Sequence, residues 1–153
     1  MGIRPGLSPR RSSAKPVTAA ETEIVLDASA LVRGLQRETE EAAEIVDRIT
    51  RGSLRAHAPD LIGPETANAL LRLVRAGRAE PEAAATMLDV AASSALVRHP
   101  SARFTRPAFE LAVDRGISAY DAFYAVLSEM LELPLVTADR KLAAAVDGSV
   151  LVV

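Results

Sequence analysis

The stretch LPLVTADRKLAAAV, residues 133–146, holds a short apolar run, an acidic turn and an alanine-rich helical pattern. The apolar run predicts a buried strand, and the pattern that follows Asp139 predicts a helix. Thr137 or Asp139 can accept a backbone N–H as the N-cap of that helix, and an acid there suits the helix dipole. Capping alone explains this stretch, unless the same order of strand, acid and helix recurs elsewhere.

The order does recur along the chain. The buried-strand pattern TEIVLD, residues 22–27, ends on Asp27 and leads into the helical pattern ASALVRGL. Further helices are predicted after Thr39, from Pro64 to the residues before Gly77, from Pro81, after a Thr105 cap and after Ser118. The remaining strand patterns are LRAHA (54–58), SALVRH (94–99), PLVTA (134–138) and SVLVV (149–153).

Strands that are separated by helices favour a parallel sheet with helices on both of its faces. We therefore predict the α/β class, as a three-layer α/β/α sandwich around a central, mainly parallel sheet of about five strands.

The composition fits one globular domain and limits the kinds of site it can hold. The chain has 153 residues, of which 49% are apolar, enough for one core. It has no cysteine and only two histidines, His57 and His99, which excludes disulfides, thiolate metal sites and a histidine-rich zinc site. Any metal would therefore be held by oxygen ligands.

Charge and residue type divide the chain into two parts. Residues 1–20 carry four basic groups and no acid, whereas residues 21–153 carry fourteen basic groups against twenty acids, a net charge of −6. We predict a basic, Pro- and Ser-rich flexible extension over residues 1–22 and one domain over residues 23–153. The acidic domain cannot hold nucleic acid by bulk charge, so it would need bound cations or local arginines. Candidate arginines crowd the end of one predicted helix: Arg72, Arg75 and Arg78.

The chain shows no sign of a membrane segment or a secretory leader. No apolar run approaches the roughly 18 residues that a spanning helix needs, and the basic N-terminal residues are not followed by the apolar core of a signal peptide. We expect a cytoplasmic protein without membrane contact.

Four acids stand where a strand gives way to a helix: Asp27, Glu65, Asp121 and Asp139. In parallel sheets the ligand crevice lies outside the carboxyl ends of the strands, so the four carboxylates are predicted to share one edge region. Clustered carboxylates repel one another unless a cation neutralises them. Oxygen ligands select hard ions such as Mg²⁺ or Mn²⁺.

Each acid also has a purely structural interpretation. Asp27 and Asp139 can cap the helices that follow them, and Glu65 can be a first-turn acid that suits the helix dipole. Ser118 and Asp121 match a capping box. The position of all four at one predicted sheet edge is what favours a metal site.

Four segments, in order and spacing, resemble the PIN-domain family, and most closely the VapC-type toxins of bacterial toxin–antitoxin pairs. The resemblance runs from about Glu23 to the C-terminus and is carried by IVLDASALV (24–32), PETANAL (64–70), ISAYDAFYAVL (117–127) and LPLVTADRKL (133–142). It implies a metal-dependent endoribonuclease that hydrolyses RNA phosphodiester bonds as the toxin of a type II module.

The resemblance also assigns roles residue by residue. It implies that Asp27 and Asp121 are the principal metal ligands, that Glu65 and Asp139 complete the acidic catalytic pocket, and that Thr137 orients a carboxylate or a water molecule. Ser29 and Asn68 can assist, although ordinary capping or surface hydrogen bonding is the favoured role of both. The implied cofactor is one or two Mg²⁺ or Mn²⁺ ions, and the implied partners are an RNA substrate, a VapB-type antitoxin and a second copy of the chain.

Of three other functions, one remains as an alternative and two lack the residues they need. The one that remains is a catalytically silent PIN-fold module that binds RNA or protein. A phospho-acceptor signalling domain would need paired acids after the first strand and a lysine near the end of the last, and the chain has neither. A phosphatase of the haloacid dehalogenase type would need Asp-x-Asp at the first strand, where this chain has Asp27-Ala28-Ser29.

Overall fold

The computed structural model of the chain describes residues 17–152. Along them, β-strands alternate with α-helices, and one 3-10 helix spans Ser101–Phe104. The strands are β1 (Glu23–Leu26), β2 (Arg55–Pro59), β3 (Leu96–His99), β4 (Leu135–Thr137) and β5 (Val150–Leu151). The helices are α1 (Ala28–Leu35), α2 (Glu40–Thr50), α3 (Ile62–Arg75), α4 (Pro81–Ser93), α5 (Thr105–Arg115), α6 (Ala119–Leu131) and α7 (Arg140–Ala145).

The five strands form one parallel sheet in the order β3-β2-β1-β4-β5. In the central strand β1, Ile24, Val25 and Leu26 are all fully buried, although successive side chains point to opposite faces. Both faces of β1 are therefore covered, as a strand of a parallel sheet requires. The predicted α/β/α sandwich with a parallel sheet of about five strands is confirmed.

The strand order places a crevice beside β1. From β1 the chain continues to β2 and β3 on one side, then crosses to β4 and β5 on the other. Such a reversal of direction leaves a crevice at the carboxyl ends of the two strands that flank it, here β1 and β4. The backbone N–H of Asp27 donates to the carbonyl of Val136 (2.9 Å), which ties these two strand ends together.

Most helix boundaries agree with the sequence pattern, but one cap does not. Thr39 caps α2 as predicted, since its hydroxyl accepts the N–H of Ala42. Thr105 does not cap α5. The chain enters α5 through the preceding 3-10 turn, where the Thr105 hydroxyl donates to the carbonyl of Ser101 (3.1 Å).

Helix α3 begins at Ile62, two residues earlier than the sequence pattern suggests. Pro64 therefore lies inside the first turn rather than at the helix start. It fits there because the first N–H groups of a helix have no partner within the helix in any case. Within residues 17–152 no helix is long and apolar enough to cross a membrane.

The predicted extension, residues 1–22, lies largely outside the described residues. Two of its described residues, Thr18 and Glu21, contact α2. The guanidinium of Arg48 donates to the carbonyls of Thr18 (3.2 Å) and Glu21 (2.6 Å), and the side chain of Val17 packs on the main core cluster.

Candidate active site

A cavity of about 530 Å³ opens at the carboxyl ends of β1 and β4. The structure brings all four predicted acids, from four separate segments of the chain, to the wall of this cavity. The polar and aromatic residues that line it are Asp27, Ser29, Glu65, Asn68, Arg72, Tyr120, Asp121 and Asp139. We call this space the acid cavity.

Asp27 lies at the inner end of the acid cavity, with only 6% of the residue exposed. It follows β1 and is the N-cap residue of α1, but its side chain makes no capping hydrogen bond. Two hydroxyls donate to its Oδ2 instead, those of Thr137 (2.8 Å) and Ser29. The Asp27 carboxylate is thus held mainly by these two hydroxyls rather than by a helix cap, and the role of Thr137 in orienting it stays a prediction.

Ser29 and Thr137 join the ends of β1 and β4 around this carboxylate. Their hydroxyl oxygens are 3.2 Å apart, the Ser29 oxygen accepts the N–H of Ala138 (2.9 Å), and the Thr137 oxygen accepts the N–H of Asp139 (3.0 Å). Thr137 is fully buried. These contacts fix the position of Asp27 relative to Asp139 across the sheet edge.

Glu65 lies in the first turn of α3, and its carboxylate contacts Tyr124 of α6. The Tyr124 hydroxyl donates to Oε2 of Glu65 (2.5 Å), and the Tyr124 side chain is fully buried. The sequence pattern places Tyr124 on an apolar stripe, and it does not reveal this polar contact. A signal was present, because Tyr124 lies three residues after Asp121 and helix residues at that spacing share a face.

Asp121 and Asp139 each take part in a helix N-terminus, as their structural interpretation predicts. The Ser118 hydroxyl caps α6 by accepting the N–H of Asp121 (3.0 Å), and it donates to Oδ2 of the same residue (2.7 Å). Oδ1 of Asp139 caps α7 by accepting the N–H groups of Lys141 (2.7 Å) and Leu142 (3.0 Å). Capping and a place in the acid cavity are thus compatible in both residues.

The four carboxyl groups share one feature. In each, the hydrogen bonds from donors within residues 17–152 fall on a single oxygen: Oδ2 of Asp27, Oε2 of Glu65, Oδ2 of Asp121 and Oδ1 of Asp139. The second oxygen of each group is left without a donor from the described chain. The fold therefore fixes each carboxylate through one oxygen and leaves the other available to a ligand.

In the acid cavity, burial and neighbouring negative charges both disfavour the ionised form of a carboxyl group. Burial raises the pKa of Asp27, partly offset by the hydroxyls of Ser29 and Thr137, and the nearby charge of Asp121 raises it further. Burial also raises the pKa of Glu65, and the charges of Asp27 and Asp121 add to this, while the Tyr124 hydroxyl opposes it. Burial and the neighbouring acids raise the pKa of Tyr124 too, which keeps its hydroxyl protonated as a donor.

The donor set fits a hard divalent cation in its chemistry, since it is made of carboxylate oxygens and its charges repel one another. In the described part of the chain, however, no three acidic or histidine side chains come close enough together to enclose an ion. This is compatible with Mg²⁺, which typically keeps several waters and uses one or two carboxylates together with substrate phosphates. The catalytic and metal-binding roles of the four acids remain predictions.

Comparison with known proteins agrees with this architecture. Residues 24–148 match the family model described as the PIN domain. The chain is 34% identical over 123 residues to Ribonuclease VapC3 from Pyrobaculum aerophilum, an alignment that covers 79% of this chain and 92% of the relative.

Two solved structures share the fold. PAE2754 from Pyrobaculum aerophilum superposes with a TM-score of 0.66 at 31% identity, over 85% of this chain and 90% of that one. VapBC2 from Rickettsia felis, bound to a DNA fragment from its promoter, matches with a TM-score of 0.58 over 86% and 98% of the two chains. At 13% identity the second comparison supports the fold alone.

Proposed function

The chain belongs to the PIN-domain family, in its VapC-type branch, and from this premise we propose that it is an endoribonuclease. The proposed reaction is metal-dependent hydrolysis of RNA phosphodiester bonds, with Mg²⁺ or Mn²⁺ as cofactor. Its proposed biological role is that of the toxin of a type II toxin–antitoxin module.

One observation carries the proposal. Four carboxylates from four segments line one cavity, and each is fixed through one oxygen while the other has no donor from the described chain. Four acids that served only as helix caps would not need to line the same cavity. Moreover, Asp27 is buried without capping its helix, so its burial is a cost that a bound cation would relieve.

The four acids have distinct tasks in this proposal. Asp27 and Asp121 would be the main ligands of the cation, and Glu65 and Asp139 would complete its surroundings. When bound, a divalent cation would make a water molecule a better nucleophile and offset the charge of the phosphate. One or two ions are compatible with the four carboxylates.

The remaining side chains hold the acids in place. Thr137 and Ser29 fix the Asp27 carboxylate by donating to Oδ2, and these hydrogen bonds favour its ionised form. Tyr124 orients Glu65 by donating to Oε2. The Tyr124 hydroxyl is itself held in place because α6 packs against the sheet.

The partners and location follow from the family. We propose that a VapB-type antitoxin binds the chain and that the chain forms a homodimer. We place the reaction in the cytoplasm, where its RNA substrate would be found.

The direct test is cleavage of purified total RNA by antitoxin-free protein in Mg²⁺, Mn²⁺ or EDTA. The protein is compared with a double variant, Asp27→Asn with Asp121→Asn. A matched control, Asp114→Asn with Asp147→Asn, removes two exposed acids that lie outside the acid cavity.

We expect discrete fragments that need a divalent ion, that persist in the control and that disappear in the cavity variant. Mapping the fragment ends would identify the RNA. Absence of cleavage in any metal by folded wild-type protein would contradict the proposal and favour the silent PIN-fold binding module.

A further inference from the structure

Tyr120 is an exposed aromatic residue on the wall of the acid cavity. The sequence pattern places it with Tyr124 on the apolar stripe of α6, but 63% of Tyr120 is exposed whereas Tyr124 is fully buried. Tyr120 lies immediately before Asp121 in the first turn of α6. A flat, solvent-exposed ring is thereby placed beside a proposed metal ligand.

Arg72 lies on another wall, at the end of a row along α3. Glu65, Asn68 and Arg72 are spaced three and four residues apart, so they share one face of the helix, and all three line the acid cavity. Along two turns of α3, the cavity wall therefore carries the carboxylate of Glu65, the amide of Asn68 and the guanidinium of Arg72.

The charge of Arg72 is not neutralised by the protein. Its neighbours Arg33 and Arg78 both pair with Glu38, at 3.2 and 3.4 Å. Among residues 17–152 the guanidinium of Arg72 makes no hydrogen bond and no ion pair. Holding a cation beside four carboxylates without pairing it to any of them leaves its guanidinium available to an anion from outside.

A second depression, of about 510 Å³, continues from the acid cavity past Arg72. The two share Ser29, Ala69, Arg72 and Asp139 in their walls. Arg72 thus lies where one groove passes into the other, so a chain-like ligand that crosses the acids would pass its guanidinium.

A polyanion that enters this groove needs positive charge on the wall, and arginine binds phosphate through two parallel hydrogen bonds. A nucleobase can stack on an exposed aromatic ring only when it is not already stacked in a duplex. We propose that Tyr120 and Arg72 are positioning residues for single-stranded RNA. Tyr120 stacks on a base beside the cleaved phosphate, and Arg72 holds a neighbouring phosphate. This inference rests on the proposed nuclease function and assigns two of its substrate contacts to Tyr120 and Arg72.

The test measures RNA binding separately from cleavage. Full-length protein carrying Asp27→Asn and Asp121→Asn is titrated in EDTA with a fluorescein-labelled, mixed-sequence RNA of about 12 nucleotides, within the range of known single-strand site sizes. The same RNA annealed to its complement is the duplex probe. Fluorescence anisotropy gives Kd for each, at several salt concentrations.

For Tyr120 we expect a loss that depends on the ring. Tyr120→Ala should weaken single-strand binding at least about fivefold, in line with base stacking on aromatic side chains, and should leave duplex binding unchanged. Tyr120→Phe keeps the ring and should restore single-strand binding toward that of the parent. The matched control is Phe109→Ala, which removes an aromatic ring that is also 63% exposed but lies on α5, away from the cavity.

For Arg72 we expect a change in salt dependence. Arg72→Gln should lower the slope of log Kd against log salt by about 0.7, the value for one phosphate of a single strand. Arg75→Gln, one turn further along α3 and outside the cavity wall, is the matched control and should keep the slope. In cleavage assays of otherwise unchanged protein, both cavity variants should raise KM more than they lower kcat.

The outcomes separate this inference from the nuclease proposal. Cleavage by the wild type together with unchanged binding in Tyr120→Ala and Arg72→Gln would overturn the inference and leave the nuclease standing. A loss as large in Phe109→Ala or Arg75→Gln, or equal losses in Tyr120→Phe and Tyr120→Ala, would also overturn it. If the wild type neither binds nor cleaves RNA, both proposals fail.

Discussion

At the scale of single residues, Tyr124 joins the acid cavity to the hydrophobic core. Its ring is fully buried in the main core cluster, and its hydroxyl reaches Glu65 on another helix, 59 residues away in sequence. Packing therefore fixes the ring, and the ring fixes the carboxylate. A buried hydroxyl is retained in a core when it has a partner of this kind, because an unpaired one is costly.

We predict that Tyr124→Phe lowers ribonuclease activity about tenfold, the size of effect seen when a residue that orients a metal ligand is lost. The ring volume is kept, so the free energy of unfolding should fall by only about 1 kcal/mol, for one hydrogen bond. The measurement is single-turnover cleavage beside urea unfolding.

Ser128→Ala is the matched control for this prediction. Ser128 is a buried residue of the same helix, and its hydroxyl donates to the carbonyl of Leu133 (2.6 Å) away from the acid cavity. It should cost a similar amount of stability and leave cleavage unchanged. Equal activity losses in the two variants would show that Tyr124 acts only through stability.

At the scale of secondary-structure elements, the site is built at helix N-termini. Helices α1, α3, α6 and α7 each begin close to one of the four acids. A helix N-terminus carries partial positive charge and unpaired N–H groups, which favour a carboxylate at that place. The fold therefore lowers the cost of gathering four acids by placing each near a helix start.

Asp139 allows the cap and the charge to be separated. Asn caps helices about as well as Asp, so Asp139→Asn should keep the free energy of unfolding nearly unchanged while it removes the charge from the acid cavity. Asp139→Ala removes both and should lose about 1 kcal/mol. We expect cleavage to fall in both variants, by at least about tenfold if the carboxylate belongs to the metal site. Full activity in Asp139→Asn would reduce Asp139 to a helix cap.

The elements themselves were largely predictable, because the signals are local. Apolar runs bounded by acids, together with caps such as Thr39 and Ser118, place the strands and most helices correctly. The errors have physical causes. The pattern predicts Pro64 as the start of its helix, yet a first turn tolerates proline at its third position as well. The pattern also predicts a Thr105 cap, whereas a 3-10 turn already satisfies the start of α5.

The side chains of the site were only partly predictable. The positions of Asp27, Glu65, Asp121 and Asp139 at one sheet edge followed from parallel pairing, because each acid stands where a strand gives way to a helix. The exposure of Tyr120 did not follow from periodicity, because a stripe of residues at helical spacing is buried only where another element covers it. Arg72 likewise could not be told apart from Arg75 and Arg78 until α3 was seen against the cavity.

At the scale of the whole molecule, the stability also depends on a histidine, His57, that lies in the sheet outside the acid cavity. Nδ1 of His57 on β2 is 3.0 Å from Nε2 of His99 on β3, and Nε2 of His57 is buried without a hydrogen-bond partner in the described residues. Burial lowers the pKa of His57, as do the charges of His99 and Arg55, while Glu23 opposes this. The neutral ring is the form that the fold accommodates.

This predicts that acidification destabilises the protein through His57. The unfolded chain takes up this proton near pH 6.5, and the folded chain takes it up only at lower pH. The contribution is thus fully present above about pH 6.5 and is lost as the pH falls below it, by at most about 1.4 kcal/mol per pH unit. Urea midpoints at about pH 7.5 and 5.5 should differ more in the wild type than in His57→Asn. Asp27 and Glu65, whose raised pKa values act in the opposite direction, contribute equally to both proteins. Equal pH dependence in the two proteins would contradict this role.

We predict that the acid cavity makes the stability of the whole molecule depend on divalent cations. Because the pKa of Asp27 is raised by burial and by Asp121, its ionised form at neutral pH costs stability in the absence of a counter-ion. A cation that binds only the folded chain adds about 2.7 kcal/mol to the free energy of unfolding at 100 times its Kd, which raises Tm by roughly 5 to 10 °C in a domain of this size.

In EDTA, Asp27→Asn with Asp121→Asn should melt above the wild type, since it removes the repulsion, and it should not respond to Mg²⁺ or Mn²⁺. Asp114→Asn with Asp147→Asn should respond as the wild type does, because those acids lie outside the cavity. If cations leave the wild-type Tm unchanged while the cavity variant is still the more stable protein in EDTA, the four acids form a strained cluster that binds no metal in the absence of RNA, and the ions must arrive together with the phosphate.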